Sequence, residues 1–152
     1  MILVALGAAL LAGQLWAVSR AWLGPAAPDP LVAVAMGLAL TWPRRQLLWG
    51  AVMVGWVRAL VLTEPAGGQV LCAWAALLIV ASARRGLRRS GRSGVLLAGL
   101  LLAVVWWCSA LVLSWAWGVP VVAGQELFWG VLVGAPLLWV VRPSARLAGA
   151  QG

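Results

Sequence analysis

Six apolar blocks, residues 2–18, 31–42, 46–62, 69–83, 95–117 and 127–141, alternate with short polar intervals along the chain. Coiled at about 1.5 Å per residue, five of them reach roughly 22–35 Å, close to the ~30 Å hydrocarbon core of a bilayer. The second reaches only about 18 Å, so it is expected to thin the bilayer, to lean on flanking turns or to be partly re-entrant. The intervals hold the helix breakers. Pro25, Pro28 and Pro30 stand in the first, Pro43 in the second, Pro65 with Gly67 and Gly68 in the third, and Gly118 with Pro120 in the fifth. Each proline removes a backbone donor and pushes the residue before it out of helical geometry. The pattern predicts an all-α polytopic membrane protein, one transmembrane domain over 1–152 built as a compact bundle of six helices.

The sign of the charge alternates with the intervals. Arg44, Arg45, Arg84, Arg85, Arg88, Arg89, Arg92, Arg142 and Arg146 lie in the second and fourth intervals and the tail, whereas Asp29, Glu64 and Glu126 lie beside the first, third and fifth. Cationic loops stay in the cytoplasm because carrying a guanidinium through hydrocarbon costs several kcal/mol. Both termini are therefore expected inside and the three acids outside, with Arg20 and Arg58 the two arginines toward the outer side. Trp115 and Trp117 stand where an aromatic belt would anchor the outer end of the fifth block. The interval 84–92 is expected as a polar loop, and 2–18 as a retained first helix, since no basic residue precedes its apolar run.

Within the blocks, small residues recur every fourth position. Ala5, Ala9, Gly13 and Ala17 form one stripe; Ala51, Gly55, Ala59 and Thr63 a second; Ala33, Gly37 and Thr41 a third; Gly130 and Gly134 a GxxxG pair, followed by Pro136 as an expected kink. In lipid, helices associate mainly by close packing, and such stripes let backbones approach. The first stripe, on a terminal helix, is the expected surface for a partner helix, with Gly13 at its centre.

Composition narrows the function classes. The chain is 64% hydrophobic with 9% charged residues and no histidine. A net charge of +8 would suit nucleic acid, but nearly all of it sits in inter-helix intervals, where it sets orientation and meets membrane lipid, so no nucleic-acid partner is expected. Cys72 and Cys108 lie in different apolar blocks and read as small buried hydrophobes. No two carboxylates lie within one helical turn, and no Walker loop, GxSxG elbow or HExxH occurs. Neither catalysis, a cofactor nor a metal is expected. Glu64 and Glu126 are expected at a wet outer edge, where neutralising either would leave assembly intact.

Arg58 is the exception, an ionisable residue inside the third block about one turn from its outer end. Snorkelling to the interface is the favoured expectation. The alternative is an ion pair with Asp29 or Glu126 on a neighbouring helix, or a contact to a partner's helix.

Several stretches resemble the rod shape-determining MreD family. Gln125-Glu126-Leu127-Phe128-Trp129, the break at Gly134-Ala135-Pro136 and the close at Val141-Arg142-Pro143-Ser144-Ala145-Arg146 look like that family's C-terminal helix. Pro28-Asp29-Pro30-Leu31 looks like the lead-in to its second helix, Trp42-Pro43-Arg44-Arg45 like its basic turn, and 50–55 like its glycine-bearing helix. Many members carry an acid four positions after the second glycine, where this chain has Ala59.

The resemblance implies a multi-pass subunit of the bacterial inner membrane. Such a subunit holds MreC directly and supports peptidoglycan synthesis and cell shape with RodA, its penicillin-binding transpeptidase and MreB. The family's fold is similar to the substrate-binding S-components of energy-coupling-factor transporters, which supplies the alternative: a small-molecule-binding transporter subunit. That alternative wants hydrogen-bonding side chains around a cavity, and the blocks offer little beyond Gln14, Gln46, Ser109, Ser114 and the two thiols. An orphan membrane enzyme is the third reading.

Overall fold

A computed structural model of the chain describes residues 2–24, 27–89, 91–118 and 125–148, with the backbone alone at 88, 89, 137 and 139–148. It is all-helical, with no strand among the described residues. The helices are α1 (Ile2–Leu23), α2 (Leu31–Thr41), α3 (Leu47–Leu62), α4 (Ala66–Arg89), α5 (Gly91–Trp117) and α6 (Gln125–Ala148), and a 3-10 turn over Arg44–Gln46 leads into α3. Among the described residues, Ile2–Leu23, Arg44–Leu62, Ala66–Leu87 and Gly91–Trp117 are each long and apolar enough to cross a membrane.

The helix ends depart from the sequence expectation in several places; α4, for one, starts at Ala66 and takes in Gly67 and Gly68, which the sequence pattern assigns to an interval. The basic interval 84–92 is not a loop: α4 runs to Arg89 and α5 starts at Gly91. Arginine is a good helix former, so polarity alone does not stop a helix. The break falls at Gly91, whose φ of 61° places it in the left-handed region that glycine enters at no steric cost. Similarly, α6 continues through Pro136 and Pro143 rather than ending at 141, and α1 extends past 18 to Leu23.

The short α2 lies at the centre of the bundle. At about 16 Å it is too short to span a bilayer alone, yet it packs against all five other helices. Leu31, Val32, Ala35, Met36, Leu38, Ala39 and Leu40 are all buried. A helix apolar all round belongs in an interior, and here the other five helices cover it. The periphery is apolar as well: Trp22, Leu3 and Val4 on α1, Trp49 and Trp56 on α3, and Trp115 on α5 are exposed. Apolar side chains both inside and outside suit a helix bundle surrounded by hydrocarbon.

Opposite charges mark opposite ends. Arg44 Nη2 donates to Ser82 Oγ at 3.3 Å and Arg84 Nη1 to the Trp42 carbonyl at 2.8 Å, joining the α2–α3 turn to the last turns of α4. At the other end the Asp29 amide donates to the Glu126 carbonyl at 3.1 Å, joining the lead-in of α2 to the start of α6. Arg44, Arg45 and Arg85 are exposed. The side chains of Arg88, Arg89, Arg142 and Arg146 lie outside the described residues.

Candidate functional site

Close helix approach builds the acidic end. Gly55 on α3 faces the backbone of α4 so tightly that a Cβ there would stand 2.6 Å from Val70 Cα. Gly130 on α6 meets the carbonyl of Asp29, and any Cβ at 130 would collide with it. These contacts place Gln69, Asp29 and Glu126 around the last turns of α3, where Arg58 projects. Thr63 ends α3 with φ 56° and ψ 39°, a conformation uncommon for a β-branched residue, and the Glu64 amide donates back to the Ala59 carbonyl at 3.0 Å.

Arg58 is 0% exposed. It does not snorkel: its guanidinium pairs with both acids that were candidates, Nη1 with Asp29 Oδ2 and Nη2 with Glu126 Oε1 at 3.0 Å. Asp29 Oδ1 also accepts the Leu31 amide at 2.9 Å, so the same carboxylate satisfies the first turn of α2. The guanidinium lies 5.0 Å from the ring centre of Trp16 and 5.3 Å from that of Trp106, within cation–π range of both. Trp106 Nε1 donates to Gln69 Oε1 at 3.1 Å, and Gln69 Nε2 donates to Glu64 Oε2 at 2.8 Å. The network therefore draws on every helix: Trp16 from α1, Asp29 at the start of α2, Arg58 from α3, Gln69 from α4, Trp106 from α5 and Glu126 from α6.

Two expectations change with this geometry. Glu126, 6% exposed, is a buried partner of Arg58 rather than an acid at a wet edge; Glu64 is half-buried and tied to Gln69. The physical reason is lateral cover. Arg58 lies one turn from the end of α3, but α1, α5 and α6 close over it. Trp16, Trp106 and Gln69 escaped the sequence reading. A usable signal existed, since Gln69 is one of few amide side chains in the apolar blocks and Trp16 follows Gly13 by one turn on the same face.

Four of the stripe glycines are occupied within the chain. Gly13 sits against Val57 of α3, Gly55 against Val70, Gly130 against Asp29, and Gly134 against Ala33 of α2. Ala9 is buried, Ala5 partly so, and Ala17 is exposed. Gly13, the centre of the first stripe, is thus packed on α3 and is not available to an outside helix. Cys72 is buried, but Cys108, expected inside, is exposed on α5.

Chemically, the cluster braces the bundle. The contacts that Asp29 and Glu126 make to Arg58 direct a charged oxygen at a neighbouring helix. Two cavities lie between helices, one of about 480 Å³ beside α1, α2 and α6 and one of about 270 Å³ near Ser19 and Pro28; among the described lining residues Ser19 alone carries a hydroxyl, amide or charged group. Comparison with protein-family models, curated proteins and solved structures finds no match.

Proposed function

We propose that this chain is a non-catalytic scaffold subunit of the bacterial inner membrane, similar to MreD, that holds a single-pass partner of the MreC kind and supports peptidoglycan synthesis during cell elongation. Its six helices cross the membrane with the arginine-bearing end in the cytoplasm. One observation carries the reading: the buried polar side chains, Asp29, Arg58, Gln69 and Glu126, are spent on bracing helices against one another. A scaffold needs a rigid bundle with an apolar periphery for other helices, and this chain has both. A solute-binding subunit needs polar groups lining a cavity, and the two cavities described are apolar. That favours the scaffold over the transporter alternative.

Affinity purification of the tagged chain from a rod-shaped bacterium in mild detergent tests the proposal. A co-purifying single-pass protein with a periplasmic coiled coil, together with rounding of cells depleted of the chain, is the expected result. Recovery with a transport ATPase, or with a retained small polar solute, would overturn it.

A further inference from the structure

The cavity of about 480 Å³ is a lateral groove between α1, α2 and α6, floored by Ala5, Ala8, Ala33 and Gly37 and flanked by Trp42 and Leu138. Its floor is open: a Cβ on Gly37 would meet only Leu138 Cδ2, at 3.9 Å. The groove ends at Trp42, whose carbonyl accepts the Arg84 guanidinium, and Arg44 and Arg45 follow directly in the exposed turn. An apolar slot thus runs up to a cationic rim.

We propose that this groove binds one acyl chain of an anionic phospholipid whose phosphate meets Arg44, Arg45 and Arg84. Length favours a lipid over a helix. From Ala33 to Trp42 the groove runs along about 13 Å of chain, close to the ~15 Å of a single leaflet. A partner's transmembrane helix needs a face running the whole ~30 Å, whereas an acyl chain entering from the charged end needs only its own leaflet. Charge favours an anionic headgroup, because each arginine near a membrane surface adds attraction for it. The occupied groove would also fill the space beside the short α2. This inference requires only that the helices lie in a membrane and does not depend on the scaffold reading.

Native mass spectrometry of the full chain, delipidated in detergent and titrated with phosphatidylglycerol or phosphatidylcholine, reads the site directly. The wild type is expected to retain one phosphatidylglycerol preferentially. Gly37→Leu should abolish retention of that molecule, and Ala8→Leu, on the α1 side of the floor, serves as the second variant should Gly37→Leu fail to fold. Arg44→Gln with Arg45→Gln should reduce the preference for phosphatidylglycerol over phosphatidylcholine by roughly five-fold per arginine while a chain still binds. Equal retention by wild type and a folded, monodisperse groove-filling variant would overturn the proposal. So would a groove-filling variant that keeps its lipid but loses a co-purifying single-pass protein, which would assign the groove to a helix.

Discussion

The two ends of the bundle use arginine in opposite ways. At one end Arg58 is wholly enclosed, held by two carboxylates and two indoles; at the other, Arg44, Arg45 and Arg85 are exposed. The same side chain is a brace in one place and a surface charge in the other, and the difference is set by what the neighbouring helices bring. Where α1, α5 and α6 supply Trp16, Trp106 and Glu126, burial is compensated. Where they supply none, the guanidinium remains outside. Stability should therefore concentrate at the acidic end and orientation at the basic end.

The largest expected effect comes from breaking the brace one-sidedly. Arg58→Met leaves Asp29 and Glu126 as neighbouring buried carboxylates without their cation, a defect that costs about 3–5 kcal/mol. The apparent melting temperature in detergent should fall on the order of 10 °C. Replacing all three residues, Arg58→Met with Asp29→Asn and Glu126→Gln, should recover much of that loss, because a neutral site carries no uncompensated charge. Glu126→Gln alone should cost about 1.5–3 kcal/mol, since one hydrogen bond to a charged group is weakened. If Arg58→Met melts with the wild type, the cluster does not brace the bundle.

Next in size is the close approach that brings the cluster together. Gly55→Ala puts a methyl against the backbone at Val70, where no side chain can swing aside. The helices must separate, at a cost of about 1–3 kcal/mol, and Gln69 moves with them. Gly37→Ala meets nothing closer than 3.9 Å and is the control expected to match or slightly exceed the parent's stability, since alanine is the better helix former. Thermal unfolding of the two variants side by side measures the contrast.

The indoles should separate by a smaller margin. Trp106→Phe loses the hydrogen bond to Gln69 and part of the cation–π contact, whereas Trp16 Nε1 has no hydrogen-bond partner among the described residues, so Trp16→Phe loses only the second. The expected difference is about 1 kcal/mol in favour of Trp16→Phe. Indistinguishable melting of the two would mean that Gln69 contributes nothing through Trp106.

Much of this molecule is legible in its sequence, and the illegible part has two physical origins. Six apolar blocks, the interruptions between them and the alternation of charge follow from one-dimensional pattern, and each block lies within a helix to within one residue, although α1, α4, α5 and α6 run beyond the predicted bounds. The end of α4 does so because a run of arginines is polar without being unfavourable to helix. Arg58 shows the deeper limit. Its position along α3 suggests a short reach to the interface, but burial is a lateral property fixed by which faces α1, α5 and α6 turn inward, and periodicity is weak when helices are apolar all round. The cluster's charged members, Asp29, Arg58 and Glu126, are visible as rare ionisable residues of an apolar chain; their convergence with Gln69 and two of twelve tryptophans is not.

The smallest effect on stability is expected at the basic end, where neutralisation should alter orientation instead. Arg44, Arg45 and Arg85 are exposed, and exposed charges hold little folding energy. They oppose transfer of the loops that carry them across the bilayer during insertion. Replacing all three by glutamine should leave the melting temperature of the correctly inserted fraction unchanged. It should also raise the fraction inserted in the wrong orientation. A cysteine at Gly86, which has open space around it, reports the outcome in a background with Cys72→Ala and Cys108→Ala. In the parent chain it should react with an impermeant thiol reagent only after the cells are opened; in the triple variant a measurable part should react in intact cells. Labelling of intact cells by the parent itself would place the arginine-bearing end outside and reverse the orientation proposed for the whole bundle.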